Sequence, residues 1–248
     1  LSAEGMIEVR MVPPPPTSTI AYVGTDKGLL ILDTREPAEP QYVGFYETPR
    51  EARKVLVSGN YAYVGAGTDG LHVVDVTTPT HPVSVTVYRA GIGSVADFII
   101  PESGSPGAPY AYVIDAYGEL HILDLSDPAA PQAASSLTVP GWLDNLALVE
   151  GANGQCYLYL PAGHEHLQIV DVSDPANPQL LDPALTDHRG WASDVVVTGQ
   201  RAYVVWSGNL TLLAHLDISD PLHPSDEGYY FYRGESRGLT LSGDPTLA

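Results

Sequence analysis

His164-Glu165-His166 places two imidazoles two residues apart. On a strand such residues share a face, which is how some metal sites are built. No third ligand falls at a matching spacing, so the triplet reads as a surface turn. Gly65-Ala66-Gly67-Thr68-Asp69-Gly70 fits G-x-G-x-x-G and follows an apolar run. A dinucleotide site needs a helix next. Here residues 71–76 read as a strand instead, and the matching slot at 24–28 is Gly-Thr-Asp-Lys-Gly, so a hairpin turn is expected. No G-x-S-x-G elbow, C-x-x-C-H haem site or EF-hand loop occurs in the sequence. Asn209-Leu210-Thr211 is a sequon that matters only in a glycosylating host.

Two further sets have chemical potential. Trp142, Trp191 and Trp206 are expected to gather with His164 and His166 on one face, near Arg50, Glu51, Ile92, Asp144, His188 and Arg189. Exposed indoles beside carboxylates suit a protein or glycan ligand. The bland alternative is that Trp142 and Trp191 plug gaps between neighbouring structural units. Asp97, Asp194 and Asn145 share one repeat position with Glu8, Lys54 and Gly238, and a cation held there would suit a hydrolase or lactonase. The assigned partner surface is Trp142, Trp191, Trp206, His164, His166, Asp97 and Asp194. No catalytic residue, cofactor or resident metal is assigned.

The elements that position these residues repeat. LQIVDVSDPANP (167–178) recurs as LHILDLSDPAAP (120–131), LHVVDVTTPTHP (71–82), LLILDTREPAEP (29–40) and, more loosely, LLAHLDISDPLHP (212–224). The marker aspartates Asp33, Asp75, Asp124, Asp171 and Asp217 lie 42, 49, 47 and 46 residues apart. Upstream of each sits a second run: IAYVG, YAYVG, YAYVI, CYLYL and RAYVV. Earlier still come KVLVSG, LALVEG, DVVVTG and GLTLSG, with DFIIPESG as a lengthened copy. A fourth run follows the Pro-x-x-Pro turn. Short β-branched and aromatic runs between Gly, Asp, Asn and Pro are strands, and no 3.6-residue period supports a helix. Four strands per repeat of this length predict an all-β fold, a β-propeller of four-stranded blades. Side chains of the marker Asp and the following Ser or Thr should cap the turn, and the prolines should stop it. His72 and His121 share one slot, which predicts packing; His81 and His223 should face solvent.

The run L-H-V/I-V/L-D-V/L, then S-D-P-x-x-P, with A-Y-V upstream, resembles the LVIVD-repeat family of β-propellers. The similarity covers residues 6–243, with departures at Thr34-Arg35-Glu36 and His215. The resemblance implies a secreted or surface protein with a role in adhesion or scaffolding, and it supplies no catalytic residue.

Blades are expected at about 6–50, 51–90, 91–139, 140–188 and 189–233, with 234–248 starting a further one. Residues 13–16 should bulge from the first blade, and 101–109 should form a flexible loop. Five complete blades plus one extra inner strand suggest a parent of six or seven blades. The chain has 248 residues and a net charge of −19, from 11 basic and 30 acidic groups. That balance argues against nucleic acid as a partner. No run reaches the ~18 apolar residues of a membrane span. Cys156, the only cysteine, is read as a buried substitute for the Ala of A-Y-V. Together these point to a non-enzymatic extracellular or cell-surface module for protein or glycan. Self-assembly into a sheath or filament and the metal-dependent hydrolase are the alternatives.

Overall fold

The computed structural model describes residues 6–8, 19–151, 154–181, 190–208, 210–234, 236 and 239–240. Among the described residues twenty strands form five four-stranded antiparallel sheets, each a meander in chain order. Sheet 1 is β1 (Met6–Glu8), β2 (Ile20–Thr25), β3 (Gly28–Asp33) and β4 (Gln41–Glu47). Sheet 2 is β5 (Lys54–Ser58), β6 (Tyr61–Gly65), β7 (Leu71–Asp75) and β8 (Val83–Tyr88). Sheet 3 is β9 (Val95–Ile99), β10 (Tyr110–Asp115), β11 (Glu119–Asp124) and β12 (Gln132–Thr138). Sheet 4 is β13 (Ala147–Glu150), β14 (Cys156–Pro161), β15 (Leu167–Asp171) and β16 (Gln179–Leu180). Sheet 5 is β17 (Trp191–Thr198), β18 (Arg201–Ser207), β19 (Thr211–Asp217) and β20 (Ser225–Tyr232). A 3-10 turn covers Gly67–Asp69. Of the expected first strand over 6–12, only Met6–Glu8 is described. The bulge at 13–16, His188, Arg189, Asn209 and Gly238 lie outside the described residues.

The chain divides into two compact units. One comprises Leu1–Gly104, Ala108–Ala116 and His121–Ala134; the other comprises Ser105–Gly107, Tyr117–Leu120 and Ser135–Ala248. Within each unit the core lies between successive sheets. Alternate residues of a strand point to opposite faces, so each sheet serves two neighbours. In β7, Leu71 and Val73 pack with Val95, Phe98, Val113 and Leu123 of sheet 3. Val74, one residue on, packs with Leu29 and Ile31 of sheet 1. Tyr157, Tyr159, Leu167 and Ile169 of sheet 4 likewise meet Ala202, Val204, Trp206, Leu212 and Ala214 of sheet 5. Burial on both faces is why the second and third strands read as nearly unbroken apolar runs. Each such Leu, Ile or Val contributes about 1.5–3 kcal/mol by leaving water.

The turn after each third strand has the predicted cap. Oδ1 of Asp33, Asp75, Asp124, Asp171 and Asp217 accepts the backbone N–H two residues on, at 2.9, 2.8, 2.7, 2.9 and 2.8 Å. In three repeats a second aspartate does the same one turn later: Asp127 to Ala129, Asp174 to Ala176 and Asp220 to Leu222, each at 3.1 Å.

The turns also receive bonds from the preceding repeat. The Tyr63 hydroxyl donates to the Pro128 carbonyl at 3.0 Å, and that of Tyr159 to the Pro221 carbonyl at 2.6 Å. Both tyrosines pair in register with the residue two before the marker Asp, Val73 and Ile169. In sheet 1, Gly44 lies so close to the next turn that an added Cβ would stand 2.2 Å from the Pro79 carbonyl oxygen.

Register also corrects the placing of Cys156. Tyr157 pairs with Asp171 as Tyr61 pairs with Asp75, so Leu158 occupies the Ala slot and Cys156 corresponds to Asn60. The carbonyls of both residues accept the N–H following the marker by one, at 2.9 Å. The thiol is buried, and burial followed by the nearby Glu150 and Asp171 pushes its pKa up to about 11. It is an inert packing group.

Candidate binding face

The connection from β14 to β15 is a tight turn. Glu165 donates its N–H to Ala162 O at 3.1 Å, His166 to Gly163 O at 3.3 Å, and Ala162 to His166 O at 2.8 Å. His166 has φ 65°. The two imidazoles therefore sit on a turn, not on one face of a strand, with His164 exposed and His166 half-buried.

Two tryptophans flank this turn. Gly163 and Ala192 exchange backbone hydrogen bonds at 3.1 and 3.0 Å, which brings the start of β17 onto the turn. Trp191 then covers Gly163: a Cβ there would stand 3.1 Å from the indole ring, and φ is 61°. Only glycine meets both demands without strain. The His164 ring meets Trp191 edge-on, 5.0 Å between centroids at 79°. On the other side Gly141 abuts Ala162, 2.2 Å from an added Cβ to the Ala162 oxygen. Trp142 follows directly. Its ring is 46% exposed, and its Nε1–H donates to Asp144 Oδ1 at 2.9 Å. Trp142, Asp144, His164, Glu165 and Trp191 thus come from the β12–β13 connection, the β14–β15 turn and the start of β17. An indole fixed through its N–H offers a flat apolar face, with carboxylates nearby to accept from hydroxyls or amides.

Three expected surface residues are elsewhere. Trp206 is fully buried among Val204, Leu212 and Ala214. The cause is strand length: β18 runs to Ser207, so Ala202, Val204 and Trp206 alternate onto the core face. Asp97 is 4% exposed and forms a buried ion pair with Lys54, while also accepting the Phe98 N–H at 2.8 Å. Asp194 is 9% exposed; Oδ1 accepts from Val195 N at 2.9 Å, and Oδ2 accepts from Leu239 N. Asn145 Oδ1 accepts from the same Val195 N at 3.3 Å. Within each unit these polar positions tie successive first strands together. Among the described residues no three His, Cys, Asp or Glu side chains group closely enough for a metal ion.

The G-x-G-x-x-G segment forms the β6–β7 turn. Its Asp69 accepts from Arg89 Nη2 at 2.9 Å and from His72 Nε2 at 2.8 Å. The Tyr46 hydroxyl meets His72 Nδ1 at 3.0 Å. Burial opposes the Asp69 charge, but the Arg89 and His72 bonds hold its pKa below the usual range. His72 is buried, and desolvation lowers its pKa despite Asp69. The slot shared by His72 and His121 is thus a packing position: His121 Nε2 lies 3.7 Å from Asp115. His223 is exposed and pairs with Asp220 at 2.9 Å.

Successive four-stranded meanders packed face to face define a β-propeller, and solved structures of that fold superpose on the chain. A computationally designed protein, Ika8, does so with TM-score 0.67 at 11% identity, covering 92% of this chain and 64% of that one. A hypothetical selenium-binding protein from Sulfolobus tokodaii gives 0.64 at 15%, covering 88% and 61%. Saccharomyces cerevisiae Sqt1 gives 0.65 at 8%, covering 92% and 61%. The chain thus spans less than two thirds of each. The LVIVD repeat matches residues 20–48, 49–90, 109–139, 155–186 and 189–231, and the chain belongs to that family. No curated protein matches it.

Proposed function

We propose that the chain is a non-enzymatic extracellular or cell-surface binding module, holding a protein or glycan ligand at the face around the β14–β15 turn. The observation that carries this reading is Trp142, exposed yet held by its own hydrogen bond to Asp144 beside the half-buried Trp191. A half-exposed indole that is oriented in advance loses little entropy when a ring or apolar side chain stacks on it.

The two tryptophans separate binding from packing. Trp142→Ala should abolish ligand binding, read by glycan array and by indole fluorescence, and leave the melting temperature unchanged. Trp191→Ala should weaken binding and also lower the melting temperature, because its ring covers Gly163. Unchanged binding in Trp142→Ala would remove this face from consideration.

A further inference from the structure

A row of rings continues beyond the two tryptophans. Tyr117, on the β10–β11 turn, is 72% exposed. Its neighbour Gly118 lies against the connection that carries Trp142. An added Cβ there would stand 2.7 Å from the Val139 oxygen and 3.0 Å from that of Gly141, and the Val139 N–H donates to the Gly118 carbonyl at 2.8 Å. Gly141 in turn abuts Ala162, and Gly163 bonds to Ala192. Each ring thus stands one residue from a glycine that meets the next loop: Tyr117 beside Gly118, Trp142 beside Gly141, His164 beside Gly163. Backbone contacts with no side chain between them join these loops into one strip. The turn itself does not demand a ring at 117. Gly28, Gly70 and Gly118 make the same approach, to the carbonyls of Tyr46, Tyr88 and Val139, and the residues before them are Lys27, Asp69 and Tyr117.

The strip offers ring faces and carboxylates. Residues 117–120, 139–145 and 162–166 include Glu119, Asp144 and Glu165 and no lysine or arginine. Asp144 holds the Trp142 N–H, so the indole presents its apolar face. A carboxylate has several acceptor sites, so Asp144 can hold the indole and still accept from a ligand. A sugar ring uses both offers at once: its C–H face stacks on an aromatic ring while hydroxyls at its rim donate to carboxylates. Acidic sugars are repelled by these carboxylates and by the net charge of −19. Sheets packed face to face stand about 10 Å apart, so Tyr117 and His164, on corresponding turns of sheets 3 and 4, lie farther apart than one sugar ring reaches. Rings repeated at such intervals match a polymer in which every unit carries the same flat face. A basic peptide would find Asp144 already bonded to the indole.

We infer that this strip binds a linear, uncharged polysaccharide chain, with Tyr117 and Trp142 each stacking on a sugar ring and Asp144 and Glu165 accepting from hydroxyls. Such a ligand presupposes the binding face proposed above, and Tyr117 extends that face by one ring.

Isothermal titration calorimetry on the full chain tests this with cello-, xylo-, malto- and chitin oligosaccharides, each from the monosaccharide to the hexasaccharide, beside polygalacturonate and an arginine-rich peptide. At least one neutral series should bind, with affinity rising about tenfold or more from the monosaccharide to the longest chain. Tyr117→Ala should cost about tenfold on the longest chain and nothing on the shortest that binds. Tyr117→Phe, which keeps the ring, should bind as wild type does. Failure of every neutral series to bind, affinity that does not depend on length, or an unchanged affinity of Tyr117→Ala for the longest chain overturns the inference. Trp142-dependent binding of polygalacturonate or of the peptide alone overturns it too, while leaving the face in place as a binding site. A longest-chain affinity that Trp142→Ala leaves intact removes the face as well.

Discussion

Four marker aspartates, Asp33, Asp75, Asp124 and Asp217, work as charges, not only as shapes. The side chain and backbone of the residue two on hold the carboxyls of Asp33 (Arg35), Asp75 (Thr77) and Asp124 (Ser126) below the usual range, and for Asp217 the backbone N–H of Ser219 leads. A folded pKa below the unfolded one means stability that is present above the unfolded value and lost as pH falls through the folded value. His72 is shifted downward as well, by burial, so it favours the fold when neutral. The melting temperature should therefore begin to fall below about pH 6.5, as His72 becomes protonated in the unfolded chain, and fall again below about pH 4 as the caps are lost. His72→Gln should remove the first step. Asp→Asn at the four markers, which keeps the acceptor, should flatten the second. A melting temperature that does not vary between pH 7 and 5 would contradict the assignment to His72. The caps themselves were readable from sequence, because Asp followed two residues later by Ser or Thr is a turn chemistry with a local mechanism. The burial of Trp206 was not, since it depends on two residues by which β18 outruns the repeat pattern.

At the level of elements, the joints between sheets matter more than the sheets. An isolated four-stranded meander would leave one or both apolar faces wet; packing between successive sheets removes that cost. Tyr63 adds a directed bond between sheets 2 and 3, and Tyr159 one between sheets 4 and 5. Tyr159→Phe should destabilise the protein by about 1 kcal/mol, the net worth of this part-buried hydrogen bond. Tyr203, the matching tyrosine of sheet 5, stacks on His215 of its own sheet at 4.9 Å, so Tyr203→Phe should leave stability unchanged. Equilibrium urea unfolding compares the two, and equal effects would remove the distinction between the two faces. These tyrosines are visible in the sequence as the Y of A-Y-V, but their partner is a main-chain carbonyl some 60 residues on, which no letter records. The strands were legible because alternation and turn residues are local. The slot of Cys156 was not, because letters aligned it with Ala where the hydrogen-bond register aligns it with Asn60.

For the whole molecule, charge sets the terms. Thirty acidic against 11 basic groups give −19, so self-repulsion opposes compaction, and added salt should raise the melting temperature by screening it. A scanning calorimetry series in NaCl reads this directly; a flat or falling series would mean that local pairs such as Lys54–Asp97 outweigh the net charge. Against that acidic surface the exposed indole of Trp142 stands out. The tyrosine-to-proline bond has one more consequence. Its acceptor is a main-chain carbonyl, which no side-chain substitution deletes, so each of these two bonds depends on a single tyrosine codon. A repeat that keeps this tyrosine therefore carries half of the bond with it, and any neighbour that keeps the turn supplies the other half whatever its side chains.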